Sequence, residues 1–235
     1  MIQSACSIIL WVAVLSLCIL GIELATLPYA QIPSLINMTP TETALMRQRR
    51  EEALAHSQTF TLQAQWIPLK AIPDHVVSAI LVSEDAAFYS HQGFDWNEIL
   101  ESLKLNIERQ ALVRGGSTLS QQLIKNLFLS SEKNALRKFK EAVLTYSLEK
   151  HLSKNRILEL YLNLVEWGDG IFGIDAAARH YFQKPVTWLS HEEGARLAAV
   201  LPNPRHYQPN RNSTYVVRRK TQILHRLTSY AGPLP

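Results

Sequence analysis

The sequence predicts a mainly α-helical domain carried on a single N-terminal transmembrane helix. Three observations carry that expectation. No charged side chain precedes Glu23, and residues 8–22 read IILWVAVLSLCILGI. Beyond Pro73, apolar residues recur at three- and four-residue spacing, the rhythm of one helix face. Several of those stretches open on Ser, Thr or Asp followed three residues later by Glu or Gln, the pair that closes a helix N terminus.

The apolar N-terminal span reaches roughly 20 residues, the length that crosses the hydrocarbon core of a bilayer. A cleaved signal peptide is the rival, but the basic residue before its core and a following A-x-A site are both missing. Residues 1–27 are therefore expected to be an anchor. Residues 28–58 read as a linker with three prolines, Pro28 to Pro40, and a short polar helix over Thr41–Ala55. Residues 59–235 form the expected folded domain. Phe60–Leu69 reads as a short extended segment, and Asp74–Ala87 as a helix with Val76, Val77, Ile80 and Leu81 on one face. Asp95 with Glu98 opens a helix through Ile99, Leu103 and Ile107; Thr118 with Gln121 opens one carrying Leu123, Ile124 and Leu127. Asn134–Lys150 is a long helix with Leu136, Val143, Leu144 and Leu148 inward. Ser153 caps a helix through Ile157, Leu160, Tyr161 and Leu164, and Ser190 with Glu193 caps another that stops at Pro202. A last helix spans about Tyr215–Tyr230.

Hydrophobic residues make up 47% of the 235 and charged residues 19%, enough apolar matter for a packed core and too little charge for global disorder. Both cysteines, Cys6 and Cys18, lie in the apolar span, which leaves the rest without a disulfide or thiolate metal site. The net charge is +4, and it is uneven: between Lys104 and Arg156 eleven basic residues face four acids. Such a stretch suits an anionic partner, whether nucleic acid, membrane surface or phosphorylated substrate. A solvated basic helix face is the plainer alternative. The basic and aromatic residues follow no nucleic-acid-binding module, so nucleic acid is not expected as a partner.

Four stretches carry candidate chemistry. In SEDAAFYSHQGFDW, Glu84 and Asp85 end an apolar helix and His91 and Gly93 follow; a carboxylate bordered by Val82 and Phe88 is placed to act as an acid or base. A helix-end ion pair and a loop hydrogen bond from His91 are the structural alternative. In RGGSTLSQQLIKNLFL, Gly115 and Gly116 allow unusual backbone angles and close ligand approach before a helix N terminus with free N–H groups. Gln121, Gln122 and Lys125 project from that helix, with Lys125 on the face of Gln121. The spacing is not that of a P-loop. In RKFKE, Glu141 lies within a turn of Arg137 and Lys138, where a salt bridge is equally natural. In KNRILELYLN, Glu159 and Asn163 share a face, and helix architecture explains them as well as chemistry does.

Together these stretches resemble the family 51 peptidoglycan glycosyltransferases, of penicillin-binding-protein type. The resemblance rests on Glu84-Asp85-x-x-Phe88-x-x-His91-x-Gly93, then Gly115-Gly116-Ser117-Thr118-x-x-Gln121-Gln122-x-x-Lys125-Asn126. It continues through Arg137-Lys138-x-x-Glu141, Lys154-x-x-Ile157-Leu158-Glu159-x-Tyr161-Leu162-Asn163 and Leu197-Ala198-x-x-Leu201-Pro202-Asn203-Pro204. All five blocks occur in family order over about residues 75–210, and the likeness is to the monofunctional, single-domain biosynthetic members. One departure is Lys133, where many members have arginine; lysine keeps the charge but loses the bidentate fork.

The resemblance implies a lysozyme-like helical glycosyltransferase domain at the outer or periplasmic face of the bacterial inner membrane. It implies polymerisation of lipid II into β-1,4-linked glycan strands with inversion and release of polyprenyl diphosphate. Glu84 and Glu141 are then the catalytic carboxylates. Lys125, Lys133, Arg137, Lys138, Gln121, Gln122, Ser117, Thr118, His91 and Asp85 become the expected contacts to substrate and pyrophosphate. Lipid II, the growing strand and membrane lipid are the implied partners, with other cell-wall synthases or division proteins beside them. The resemblance fixes no cofactor and no metal site is readable, although a divalent cation on the pyrophosphate stays open. A lytic muramidase-like enzyme is the rival in chemistry, disfavoured because neutral glycan cleavage needs no pyrophosphate grip. A non-catalytic cell-wall scaffold is the second, disfavoured by the intact Glu84 and Glu141. Ser147-x-x-Lys150 and Ser153-x-Asn155 match transpeptidase patterns by chance, since no Lys-Thr-Gly follows.

Overall fold

Helix α3, Asp74–Glu84, is buried from Val76 through Val82 on every side, although its sequence suggested only one inward face. A helix apolar all round belongs at the centre of a domain, and α3 lies there, against α9 (His191–Val200) and α10 (Thr214–Leu227). It stops at Glu84, three residues short of the expected Ala87, because Asp85 turns to extended backbone. The computed structural model describes residues 11, 14–15, 18–111, 115–129, 134–230 and 232. The remaining helices are α1 (described over residues 18–25), α2 (Ala44–Ala55), α4 (Trp96–Glu108), α5 (Leu119–Phe128), α6 (Ala135–His151), α7 (Lys154–Leu164) and α8 (Ile174–Phe182).

Local sequence sets most of these boundaries. Thr118 and Gln121 cap α5 reciprocally, and Ser190 and Glu193 do the same for α9. At α4 half of the expected pair forms: Asp95 accepts from the Glu98 N–H at 3.0 Å, while the Glu98 carboxylate accepts from Ser102. On α6, Leu144 and Leu148 are inward as expected, but Leu136 in the first turn is exposed.

Two features have no counterpart in the sequence reading. One is α8. The other is the pairing of a three-stranded sheet in the order β1 (Gln63–Ala64), β3 (Ile171–Phe172), β2 (Glu166–Gly168), with β1, inside the expected extended segment Phe60–Leu69, parallel and β2 antiparallel to β3. Strands of two or three residues are too short to show alternation.

The segment expected as a linker is packed rather than loose. Ile32 and Leu35 are buried in the core, and Leu45 and Met46 of α2 join them. Arg156 of α7 donates to the carbonyls of Leu35 and Met38 at 2.8 and 2.9 Å. Among the described residues one helical stretch, Cys18–Ile36, is long and apolar enough to cross a membrane. With Ile32 and Leu35 buried, only the part before them is free to do so. Much of the expected span, including residues 8–10, lies outside the described residues.

Helix α7 uses its polar residues to hold the segment entering α3. Asn163 accepts from the Ile67 N–H and donates to the Ile67 carbonyl, both at 2.8 Å, and Glu159 accepts from the Leu69 N–H at 3.0 Å. The Lys154–Asn163 block is therefore architectural. Asn163→Ala strips Ile67 of both partners and is expected to cost about 2 to 4 kcal/mol. In thermal unfolding followed by circular dichroism, that is a fall in Tm of roughly 5 to 15 °C.

Candidate active site

Both oxygens of the Glu84 carboxylate are held. Ser83 Oγ donates to Oε1 at 3.0 Å, and Gln122 Nε2 donates to Oε2 at 3.3 Å. Each donor is itself supported. Arg219 Nη2 donates to Ser83 Oγ at 3.0 Å, and Tyr161 Oη donates to Gln122 Oε1 at 3.1 Å. Burial drives the Tyr161 hydroxyl well above its ordinary range, with Glu84 and Asp85 adding to the effect, so it stays a donor. Burial likewise raises the proton affinity of Glu84; Ser83, Gln122 and Arg219 oppose the rise and Asp85 adds to it. This is the environment of a general base whose carboxylate is little hydrated.

Gln122 connects Glu84 to a cavity of about 250 Å³ lined by Arg49, Gln122, Lys125, Asn126, Glu166 and Arg205 among others. Lys125 forms no hydrogen bond or ion pair among the described residues. Its proton affinity is lowered by burial first; Glu141 opposes that, and Arg137, Lys138 and Arg49 reinforce it. Arg137 and Lys138 are, by contrast, occupied. Arg137 Nη1 meets Glu141 Oε2 at 2.6 Å, and Lys138 bonds to both Glu141 Oε1 and Ser117 Oγ. Glu141 is buried between the two cations, so it orients them, and the salt bridge readable in RKFKE forms.

Several of the expected contacts are hydrogen-bonded to other parts of the site. Asp85 accepts from His91 Nε2 at 3.0 Å and from the Leu119 N–H at 2.9 Å, pinning the end of α3 to the start of α5. The Gly93 N–H donates to His91 Nδ1, which leaves Nε2 as the proton-bearing nitrogen. Thr118 caps α5 and donates to the Gly93 carbonyl at 2.7 Å, while the Gln121 amide returns to the Thr118 N–H. Asp85 and Thr118 thus occupy the α5 N terminus that was expected to be open to an anion. Gly115 and Gly116 are not among the glycines with positive φ; what Gly116 supplies is space, because a Cβ there would stand 3.1 Å from Ile99 Cα. Lys133 and Arg114 lie outside the described residues.

The cavity's far wall was missed from sequence. Arg49 on α2 grips Glu166 on β2 with Nε and Nη2 at 2.8 to 3.2 Å, and its Nη1 reaches Glu52. Burial raises the proton affinity of Glu166 while Arg49 and Arg205 oppose it. The partners are 117 residues apart, so no local spacing could reveal them. Among the described residues no three His, Cys, Asp or Glu side chains converge as a metal site.

A family described as Transglycosylase matches residues 48–228. Proteins named biosynthetic peptidoglycan transglycosylase are similar over most of the chain. That of Nitrosospira multiformis is 43% identical over 205 residues, 87% of this chain and 89% of the relative. That of Nitrosomonas eutropha is 47% identical over 194 residues, 83% of this chain and 80% of the relative. That of Herminiimonas arsenicoxydans is 42% identical over 205 residues, 87% and 89% respectively.

Asp85→Ala tests the division between supporting and reacting carboxylates. Losing an acceptor shared by His91 and Leu119 is expected to destabilise by about 2 to 4 kcal/mol, read as a lowered urea midpoint. A variant of unchanged stability and lost activity would make Asp85 a ligand contact instead.

Proposed function

The chain belongs to the transglycosylase family and is a peptidoglycan glycosyltransferase of cell-wall synthesis, and within that activity we propose that Glu84 is the general base acting on lipid II. In this reading the Glu84 carboxylate takes the proton from the 4-hydroxyl of the acceptor GlcNAc as that oxygen attacks the anomeric carbon of the donor MurNAc. The bond from that carbon to the pyrophosphate oxygen breaks, its electron pair leaves with polyprenyl diphosphate, and the anomeric centre inverts. The observation that carries the reading is the doubly held carboxylate joined through Gln122 to a cavity lined by Lys125, which has no hydrogen bond or ion pair among the described residues.

Lys125 is the cation best placed to meet charge growing on the leaving group, because its charge is not already spent on a protein carboxylate. Arg137 and Lys138, held by Glu141, extend the positive field, and Ser117 adds a hydroxyl beside Lys138. Glu141 acts through these cations. A divalent cation, were one bound together with the pyrophosphate, would supply further neutralisation of its charge.

The domain is proposed to sit on the outer face of the membrane that α1 spans, where the lipid tails of donor and acceptor stay in the bilayer. Two observations support its lying against the membrane. Lys140 of α6 pairs with Glu23 at the end of α1, and on the same helix Leu136 and Phe139 are exposed. Trp96, Leu100, Leu103 and Ile107 form an apolar face along α4, each more than half exposed. The periodicity marked Ile99, Leu103 and Ile107 on this helix, and of these Leu103 and Ile107 face outward beside Trp96 and Leu100, as suits a helix lying against lipid.

Incubation of the purified protein with lipid II, followed by gel analysis of glycan, tests the reading. Glu84→Gln is expected to lower turnover by roughly 10²- to 10⁴-fold and to leave binding of a phosphoglycolipid donor mimic intact. Lys125→Ala is expected to weaken both. The wild-type rate should rise with pH as Glu84 loses its proton, at a midpoint above that of an ordinary glutamate. It should fall again as Lys125 loses its proton, at a midpoint below that of an ordinary lysine. Near-normal polymerisation by Glu84→Gln would remove Glu84 as the base.

A further inference from the structure

Helix α10 carries a charge where its pattern calls for an apolar side chain. Val216 and Ile223 are its buried residues, and Arg219 lies between them at i+3 and i−4, on the same inward stripe. The residue is half-buried, with 27% of its side chain exposed, and its Nε is buried with no hydrogen-bond partner among the described residues. An arginine set into a packed stripe with an unpaired donor is costly. Helix packing alone does not account for it, because an aliphatic side chain would serve α10 better.

The guanidinium points to the base. Arg219 Nη2 lies 3.8 Å from Glu84 Oε1 and donates to Ser83 Oγ at 3.0 Å. Arginine has no acceptor, so Ser83 must accept from it, and the hydroxyl proton is left for Glu84 Oε1 at 3.0 Å or the Ala198 carbonyl at 3.3 Å. We propose that Arg219 is a positioning residue which, through Ser83 and through its own charge, holds the Glu84 carboxylate in place and ionised for proton abstraction. The inference rests on the reading of Glu84 as the base.

Around Glu84, Arg219 is the cation that opposes burial. Asp85 beyond α3 pushes the other way, Gln122 of α5 is neutral, and Tyr161 of α7 is buried and protonated. Tyr215 of α10 is kept protonated by burial. From α9 the contact is the Ala198 carbonyl, reached through Ser83, while Glu192 is engaged by Arg196 and Lys220, and Glu193 by Lys184. Lys125 is the other nearby candidate by sequence, but the cations and carboxylate that act on it are Arg137, Lys138, Arg49 and Glu141.

The sign follows directly. Arg219 favours the ionised form of Glu84, so its removal raises the pH at which the base gains its proton, and activity is lost from the acidic side. The pH dependence of kcat/KM for lipid II polymerisation by the full chain reads this. Arg219→Gln is expected to move the acidic limb up by roughly 1 to 3 pH units, with activity recovering at higher pH. Arg219→Lys, which keeps the charge, should move it less. Ser83→Ala should also move it upward and carries the test should Arg219→Gln fail to fold. An unmoved limb in a folded Arg219→Gln, or a loss equal at every pH, overturns the proposal. Glu84→Gln is run beside them: an active Glu84→Gln refutes the base, whereas an inactive one with an unmoved Arg219→Gln limb refutes only the role of Arg219.

Discussion

One carboxylate, nearly shut away from water at the end of a helix buried from Val76 through Val82, sets the terms for the rest of the domain. Moving a carboxylate out of water favours its protonated form, and a protonated Glu84 cannot take a proton from a substrate hydroxyl. The fold answers with donors on both oxygens and a second rank of groups behind each donor: Arg219 behind Ser83, Tyr161 behind Gln122. These four come from the end of α3 and from α5, α7 and α10, so most of the helical core converges on a single group. The balance leaves the carboxylate more basic than a solvated glutamate and fixes its geometry, which is what the proposed role as general base requires.

The cations follow a complementary logic. Clustering Lys125, Arg137 and Lys138 without a countercharge would be self-repelling, and Glu141 relieves most of that by binding the last two. Lys125 is left with its charge uncommitted, and it borders the cavity. Across that cavity Arg49 and Glu166 neutralise one another, which ties α2 to the small sheet without adding net charge to the opening. The arrangement separates charges that build the wall from the charge available to a ligand.

What could be read in advance was local. The reciprocal caps of α5 and α9 depend on residues three apart, and they form as the sequence indicated. The five blocks located Glu84, Lys125 and the Arg137–Glu141 group, yet spacing could not say which polar residues face inward to hold the site. Asp85, His91, Thr118 and Gln121 look like ligand contacts in a linear motif, and in three dimensions they also brace the helix ends against one another. The stripe on α4 was legible as a stripe, but periodicity is the same whether a helix faces core or lipid. Arg49 with Glu166, and Arg219 with Ser83, join positions more than a hundred residues apart, where no sequence pattern reaches.

The central claim is that burial outweighs its opponents at Glu84 and leaves an ionisable group with raised proton affinity. Carbon-13 NMR titration of the glutamate carboxyls, with the Glu84 signal assigned by its loss in Glu84→Gln, measures this directly. The account predicts a midpoint above the ordinary value of 4.5. A midpoint at or below that value would contradict it.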